Sequence, residues 1–170
     1  MFEKPRISYA ILVLLFILPQ SIFVIGDFMA WGIRFPLFRF QDSPLGSSVI
    51  PLNRELGYVT SGTIKWTGSY GGLNPTAVAP WIWLAGVLAL VAAAGMILSW
   101  HLLDNPGYAV FAGPLVILSG VIFLVWAVVQ TGSPFIGPSG YSIPVGIPFL
   151  WYCGYKFMRV AKSEGEAGDE

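Results

Sequence analysis

The sequence predicts an all-α integral membrane protein: four transmembrane helices in an antiparallel bundle, with a partly β extracytoplasmic loop between helices 1 and 2. The first observation behind this fold class is composition, because 55% of the 170 residues are hydrophobic and only 11% are charged. Ordinary soluble domains carry about 25% charged residues. Because so few charged residues cannot cover a surface that faces water, we expect lipid to surround much of the chain. The zero formal net charge argues against a polyanionic partner such as nucleic acid.

The second observation is a set of four long apolar runs, of which the clearest lies at 81–100. It has no charged residue, and 20 helical residues rise about 30 Å, the thickness of the hydrocarbon core of a bilayer. Trp81 and Trp83 lie at one end and Trp100 at the other, where amphipathic rings anchor at the two headgroup levels. We therefore predict a transmembrane helix here.

The first apolar run, 7–25, follows a short leader that carries Lys4 and Arg6. Basic residues before an apolar stretch are also typical of a cleaved signal peptide. However, no A-x-A-like site follows, and the hydrophobic run continues past Pro19. These features favour a retained first helix, which Pro19 is expected to kink.

Residues 27–79 form the longest segment between predicted spans, and their aromatic content argues against disorder. Apolar residues alternate with other residues over 31–37, which predicts a strand, and Pro36 restricts this strand to the edge of a sheet. The apolar positions are Trp31, Ile33, Phe35 and Leu37. Ser61 and Gly62 lie between two β-prone stretches and predict a hairpin turn. We expect a small, partly β cap outside the membrane.

The remaining predicted spans are 108–129 and 141–158, the latter distorted at its start by Pro144 and Pro148. A disordered tail is predicted at 163–170. Lysines and arginines cluster in the leader and after the last span, whereas the loop between the last two spans has none. By the positive-inside rule, both termini are therefore cytoplasmic in a multi-pass cell-membrane protein, and the cap is outside.

Small residues spaced four apart favour close helix packing in lipid. The candidates are Ala85, Ala89 and Ala93 on the second span, with Ala109 and Gly113 on the third. Packing within the bundle is the simpler interpretation, and a face for self-association is the alternative.

Polar or ionisable groups near the membrane are candidates for function because they are costly there. They are Gln20, Asp27, His101 and Asp104. Capping or turn roles at the interface are the simpler interpretation, and proton or metal chemistry is the alternative. A single histidine and a single cysteine, Cys153, argue against a protein-only metal site. The sequence has no nucleophile–base set and no phosphate-binding glycine loop, so we predict no catalytic, cofactor-binding or metal site.

The aromatic cap is the best candidate for function, because exposed aromatic and arginine residues mark protein–protein contacts. The candidate residues are Trp31, Phe35, Phe38, Arg39, Tyr58 and Trp66. Alternatively, these rings form the core of the cap itself or lie among lipid headgroups. We therefore predict a non-enzymatic structural or interaction subunit. Its spans lie in the lipid bilayer, and its aromatic outer loop contacts another membrane protein or a second copy. The alternatives are a small transporter, an accessory subunit of a transport or redox complex, and a membrane enzyme acting on lipid or quinone.

The layout resembles that of claudin-type tetraspan proteins: a short leader, a long first outer loop, two short loops and a short tail. Trp31 lies just beyond the first predicted helix, where that family has a tryptophan. The family's first loop also contains a Gly-Leu-Trp motif and two cysteines that form a disulfide, and this chain lacks both. The resemblance is therefore one of layout, and no residue role follows from it.

Overall fold

A computed structural model describes residues 4–26, 30–66, 74–103, 105, 107–131, 136–137 and 140–166. Within these residues the chain is mixed α/β, with five helices and an antiparallel sheet of six strands. The helices are α1 (Lys4–Ile17), α2 (Leu52–Thr60), α3 (Pro75–Leu103), α4 (Gly107–Thr131) and α5 (Ile147–Glu166). The strands are β1 (Ser21–Ile25), β2 (Ala30–Arg34), β3 (Phe38–Ser43), β4 (Gly46–Pro51), β5 (Ile136–Gly137) and β6 (Gly140–Ile143). The predicted all-α fold class is thus wrong, and the four-helix bundle is not confirmed.

Helices α3 and α4 are the two that are long and apolar enough to cross a membrane among the residues described. They contain the predicted spans 81–100 and 108–129. Their 29 and 25 residues rise about 44 and 38 Å, more than the roughly 30 Å of a bilayer core. The chain therefore carries two candidate membrane-spanning helices.

The predicted first span, 7–25, is wrong as a single helix. Helix α1 ends at Ile17 and strand β1 begins at Ser21. Pro19 explains the break, because its ring disfavours the helical conformation at Leu18 and it has no N–H to donate. The residues that follow, Ser21–Ile25, include β-branched and aromatic side chains that favour a strand. The 14 residues of α1 rise only about 21 Å, less than a full span needs.

The sheet has the strand order β4-β3-β2-β1-β6-β5. Strands β1 to β4 form a meander, in which each strand pairs antiparallel with the next. The hairpin β5–β6, which follows α4 in the chain, adds to the free edge of β1. Gly46 ends the tight β3–β4 turn with φ of 113°, a conformation that favours glycine. Residues from two distant parts of the chain thus build one sheet.

Two local predictions in the cap and the last span need correction. The hairpin at Ser61–Gly62 is wrong, because the residues before it form α2. That helix buries Leu52, Glu55 and Val59, a spacing of three and four that fits a helix better than a strand. The run 141–158 is also not one helix, because it begins in β6 and becomes helical at Ile147. Helix α5 then continues to Glu166, past the predicted start of the tail.

Helices α3, α4 and α5 pack around a core that is rich in aromatic and small residues. The rings of Trp83 and Phe123 stack with centroids 4.2 Å apart. The hydroxyl of Ser119 donates a 2.8 Å hydrogen bond to the carbonyl of Gly86, which joins α4 to α3. A Cβ at Gly113 would lie 2.7 Å from the carbonyl oxygen of Gly154, so α4 and α5 approach closely at these glycines.

Candidate interaction surface

The sheet differs from a typical sheet that packs on a core, because its inner face mixes the buried apolar residues Phe23 and Ala30 with buried polar ones. An antiparallel sheet commonly turns its apolar side chains to the core and its polar ones to solvent. Here the face toward the helices carries the buried polar residues Ser21, Arg34 and Ser142. The side chains on either side of each of these positions point to the opposite face, because successive residues of a strand alternate. We call that opposite face the outer face.

A row of five apolar side chains crosses the outer face from one strand to the next. The strand register aligns these residues directly, and they come from β4, β3, β2, β1 and β6 in turn: Val49, Phe40, Ile33, Ile22 and Ile143. Val49 and Ile143, at the two ends of the row, are each 58% exposed. The row therefore forms a continuous apolar strip on the surface of the described chain.

A second row, two residues along the strands, extends this strip. Trp31, Val24 and Tyr141 are aligned across β2, β1 and β6, and Trp31 also meets Phe40 edge to face with centroids 5.9 Å apart. The same row ends in polar residues on the other side, where Asp42 accepts a 2.5 Å hydrogen bond from Ser47. The outer face is thus apolar across its centre and carries one charge at a corner.

Three charged side chains fix the sheet to the helices from the inner face. Arg34 on β2 forms an ion pair with Glu55 on α2, and both side chains are at most 7% exposed. Arg39, the partner of Arg34 in the strand register, places its Nε 2.8 Å from Oε1 of the same carboxylate. One buried carboxylate is therefore shared by two arginines, which ties the sheet to α2.

Two tryptophans, one on α3 and one on α4, enclose the guanidinium of Arg34. Its central carbon lies 4.7 Å from the ring centroid of Trp83 and 4.6 Å from that of Trp126. Such cation–π contacts strengthen when water is excluded. The indole N–H of Trp83 also donates a 2.8 Å hydrogen bond to the carbonyl of Pro36, in the β2–β3 turn. Burial lowers the pKa of Arg34 to about 10, so Arg34 stays charged at neutral pH.

The predicted interaction residues do not form a single cluster. Trp31 lies on the outer face, and Phe35 stacks on Phe38 at 4.6 Å in the β2–β3 turn. Arg39 belongs to the inner charge cluster. The remaining two lie beside the helices, because Tyr58 packs under the guanidinium of Arg54 at 5.9 Å and Trp66 stacks on Trp81 at 6.4 Å.

The predicted polar and packing candidates are placed as follows. Gln20 is buried and donates a 3.0 Å hydrogen bond to the carbonyl of Leu18. The ring of His101 stacks on Tyr9, with centroids 5.1 Å apart. Asp27 and Asp104 lie outside the described residues. The buried packing candidates are Ala89, Ala93, Ala109 and Gly113, whereas Ala85 is exposed.

Sequence reasoning missed the two residues that matter most to this arrangement, Arg34 and Glu55. They are 21 positions apart, and no local motif links them. One signal was present: Arg34 occupies an alternate position of the strand-like pattern that contains Ile33. If a strand buries the residues on one side of its pattern, an arginine on that side needs a carboxylate partner.

The described residues contain no group of three or more histidine, cysteine or acidic side chains that could hold a metal ion. Comparisons with protein-family models, with curated proteins and with solved structures found no match. The resemblance to claudin-type proteins therefore stays one of layout.

Proposed function

We propose that this protein is a non-enzymatic, multi-pass membrane protein that acts as a structural or interaction subunit, and that the outer face of its sheet binds a second copy. One observation carries the proposal: the five-residue apolar row on the outer face. Exposed apolar patches on folded proteins are typical of interaction sites. The opposite face packs on the helices, and both of its arginines contact Glu55.

A second copy suits this face better than a charged partner does. The two rows contain one charged side chain, Asp42, and it lies at the corner of the patch. A surface almost without charge needs no complementary charge on its partner, so the same patch on another copy can cover it. Pairing about a twofold axis would then place identical patches against each other.

The test is photo-crosslinking in native membranes with p-benzoylphenylalanine in place of Trp31. A product at twice the mass of the 18.5 kDa chain is expected. The variant Ile33→Lys, at the centre of the row, should weaken dimer formation about thirtyfold, since burying an unpaired charge at an interface centre costs roughly 2 kcal/mol or more.

The matched control is Leu45→Lys, the same substitution at the fully exposed tip of the β3–β4 turn. This variant should crosslink like the parent protein. An adduct only at another mass would contradict the second copy as the occupant. A lone monomer in the parent, or an equal dimer yield from Ile33→Lys, would contradict the proposed surface itself.

We also propose that both termini are cytoplasmic and that the sheet is outside. The sheet contacts the start of α3 and the end of α4, through Trp83 and Trp126, so the α3–α4 turn at Asn105 lies at the opposite end of these helices. After the native cysteine is removed by Cys153→Ala, an impermeant maleimide should label Leu45→Cys, at the fully exposed tip of the β3–β4 turn, in intact cells. It should not label Asn105→Cys, and the reverse result would invert the topology.

A further inference from the structure

Arg34 and Arg39 line two cavities where the sheet meets α3 and α4. The larger, of about 70 Å³, is also lined by Glu55. The smaller, of about 40 Å³, lies against β1 and β6, and Glu55 is not among its lining residues. We call the smaller one the donor cavity, defined by Arg34, Arg39, Trp126 and Ser142.

The donor cavity gathers buried hydrogen-bond donors that have no acceptor among the described residues. They are the indole N–H of Trp126, the hydroxyl of Ser142 and Nε of Arg39. The Arg39 Nε lies 2.8 Å from Glu55, but its N–H is not directed at that carboxylate, so the contact is an ion pair without a hydrogen bond. Indole and guanidinium groups can only donate. The serine hydroxyl can both donate and accept. Two groups that only donate and one hydroxyl that can donate therefore fit a ligand that accepts hydrogen bonds.

The charge around the donor cavity indicates that this ligand is negative. Two arginines and one glutamate leave a net charge of +1, and no other carboxylate is among the described residues that line either cavity. Glu55 pairs with the buried Arg34, so the excess positive charge lies on the guanidinium of Arg39, whose side chain is 25% exposed. A monovalent anion would neutralise the cluster, which a water molecule cannot do.

The volume of the donor cavity limits the size of the anion. One water needs a cavity volume of roughly 10–15 Å³. The donor cavity, with about 40 Å³, therefore has room for a single atom-sized ion and one or two waters.

We propose that the donor cavity binds a chloride ion, held by the N–H of Trp126, the hydroxyl of Ser142 and the guanidinium of Arg39. The ion completes the charge balance of the junction between the sheet and the helices. This inference does not depend on the proposed interaction of the outer face.

The test is ³⁵Cl NMR on the full chain purified in detergent, with gluconate as the replacing anion. Bound chloride broadens the resonance, so the parent protein should show excess broadening that saturates as chloride is added. Arg39→Gln removes a donor and the excess charge, and Ser142→Ala removes one donor with little change in shape. Each should weaken chloride binding at least about tenfold, because hydrogen bonds to a charged group are strong.

Arg54→Gln is the matched control, since it removes the same charge from an exposed arginine of α2 that does not line the donor cavity. It should bind chloride like the parent. If Arg39→Gln does not fold, Ser142→Ala alone decides the test. An absence of saturable broadening in the parent would show that the cavity holds only water and overturn the proposal. Equal affinity in the parent and Ser142→Ala would overturn it too.

Discussion

Glu55→Gln is expected to be the most destabilising single substitution in the cap. The carboxylate faces Arg34 and Arg39, and no other acid is among the described residues that line their cavities. The amide can accept a hydrogen bond but carries no charge, so both arginines would lose the carboxylate that they share. Breaking a buried ion pair by removing one partner costs about 3–5 kcal/mol. At roughly 2–4 °C per kcal/mol for a chain of this size, the melting temperature should fall by about 6–20 °C.

The assay is thermal unfolding of purified protein in detergent, followed by near-ultraviolet circular dichroism. Asp42→Asn is the matched control, because it also removes one carboxylate charge, here from a half-buried position on the outer face of the sheet, where the cost should stay below about 1 kcal/mol. The double variant Arg34→Met with Glu55→Gln should recover part of the loss, since neither buried charge of that pair remains. A Glu55→Gln protein that melts within about 2 °C of the parent would refute the role of this carboxylate.

Three further predictions concern helix packing, the tryptophan anchor and pH. Gly113→Ala should lower the free energy of unfolding by about 1–3 kcal/mol, because the new Cβ would lie 2.7 Å from a carbonyl oxygen of α5. The control Gly95→Ala has open space around it and should be neutral or slightly stabilising in the same thermal assay. Trp83→Phe leaves the buried carbonyl of Pro36 without its hydrogen-bond donor. It should lower the free energy of chemical unfolding by about 1–3 kcal/mol, and an unchanged unfolding midpoint would contradict the role of this hydrogen bond. Burial lowers the pKa of Arg34 from 12.5 to about 10. Between about pH 7 and 9 the group is therefore protonated in both folded and unfolded chains, and it does not make the free energy of unfolding depend on pH. Above that range the folded chain releases its proton first and the contribution of Arg34 to stability rises, so Arg34→Met and parent curves should run parallel below pH 9 and diverge above it.

The two strongest apolar runs could be predicted from the sequence because nothing competes with their pattern. Residues 81–100 and 108–129 contain no charged residue, and both lie inside helices. Hydropathy alone could not divide 7–25, because a strand and a helix of similar apolar content score alike. The local chemistry of Pro19 decides where that run changes from helix to strand.

The sheet was only partly predictable, since its pairings are not local. The period of two indicated an edge strand over 31–37. A strand is present, but β2 (Ala30–Arg34) ends before Pro36 and lies inside the sheet between β1 and β3, so the predicted edge position is wrong. Which face the strand buries depends on what meets it, and the arginine side is buried because α2 brings Glu55 to it. The usual rule that apolar residues turn inward would have placed Ile33 in the core. The buried polar residues of the inner face and the apolar rows of the outer face therefore emerge only from the three-dimensional arrangement.

The composition of the candidate surface could not be predicted. The sequence indicated an aromatic surface on the cap, and Trp31 lies on the outer face. Ile22 and Ile143, two members of the apolar row, fell inside segments predicted to be transmembrane helices. Because strand register brings them together from opposite ends of the chain, no sequence window contains them.

The position of β1 in the middle of the sheet has a consequence for biogenesis. One of its edges pairs with β2 soon after synthesis, but the other pairs with β6, whose residues Gly140–Ile143 emerge more than a hundred residues later. During that interval the backbone donors and acceptors along this edge stay open, and an open strand edge invites association with other chains. Synthesis of α3 and α4 must therefore precede closure of the sheet, and a ribosome that pauses between those helices would leave an intermediate whose open strand edge can associate with other chains.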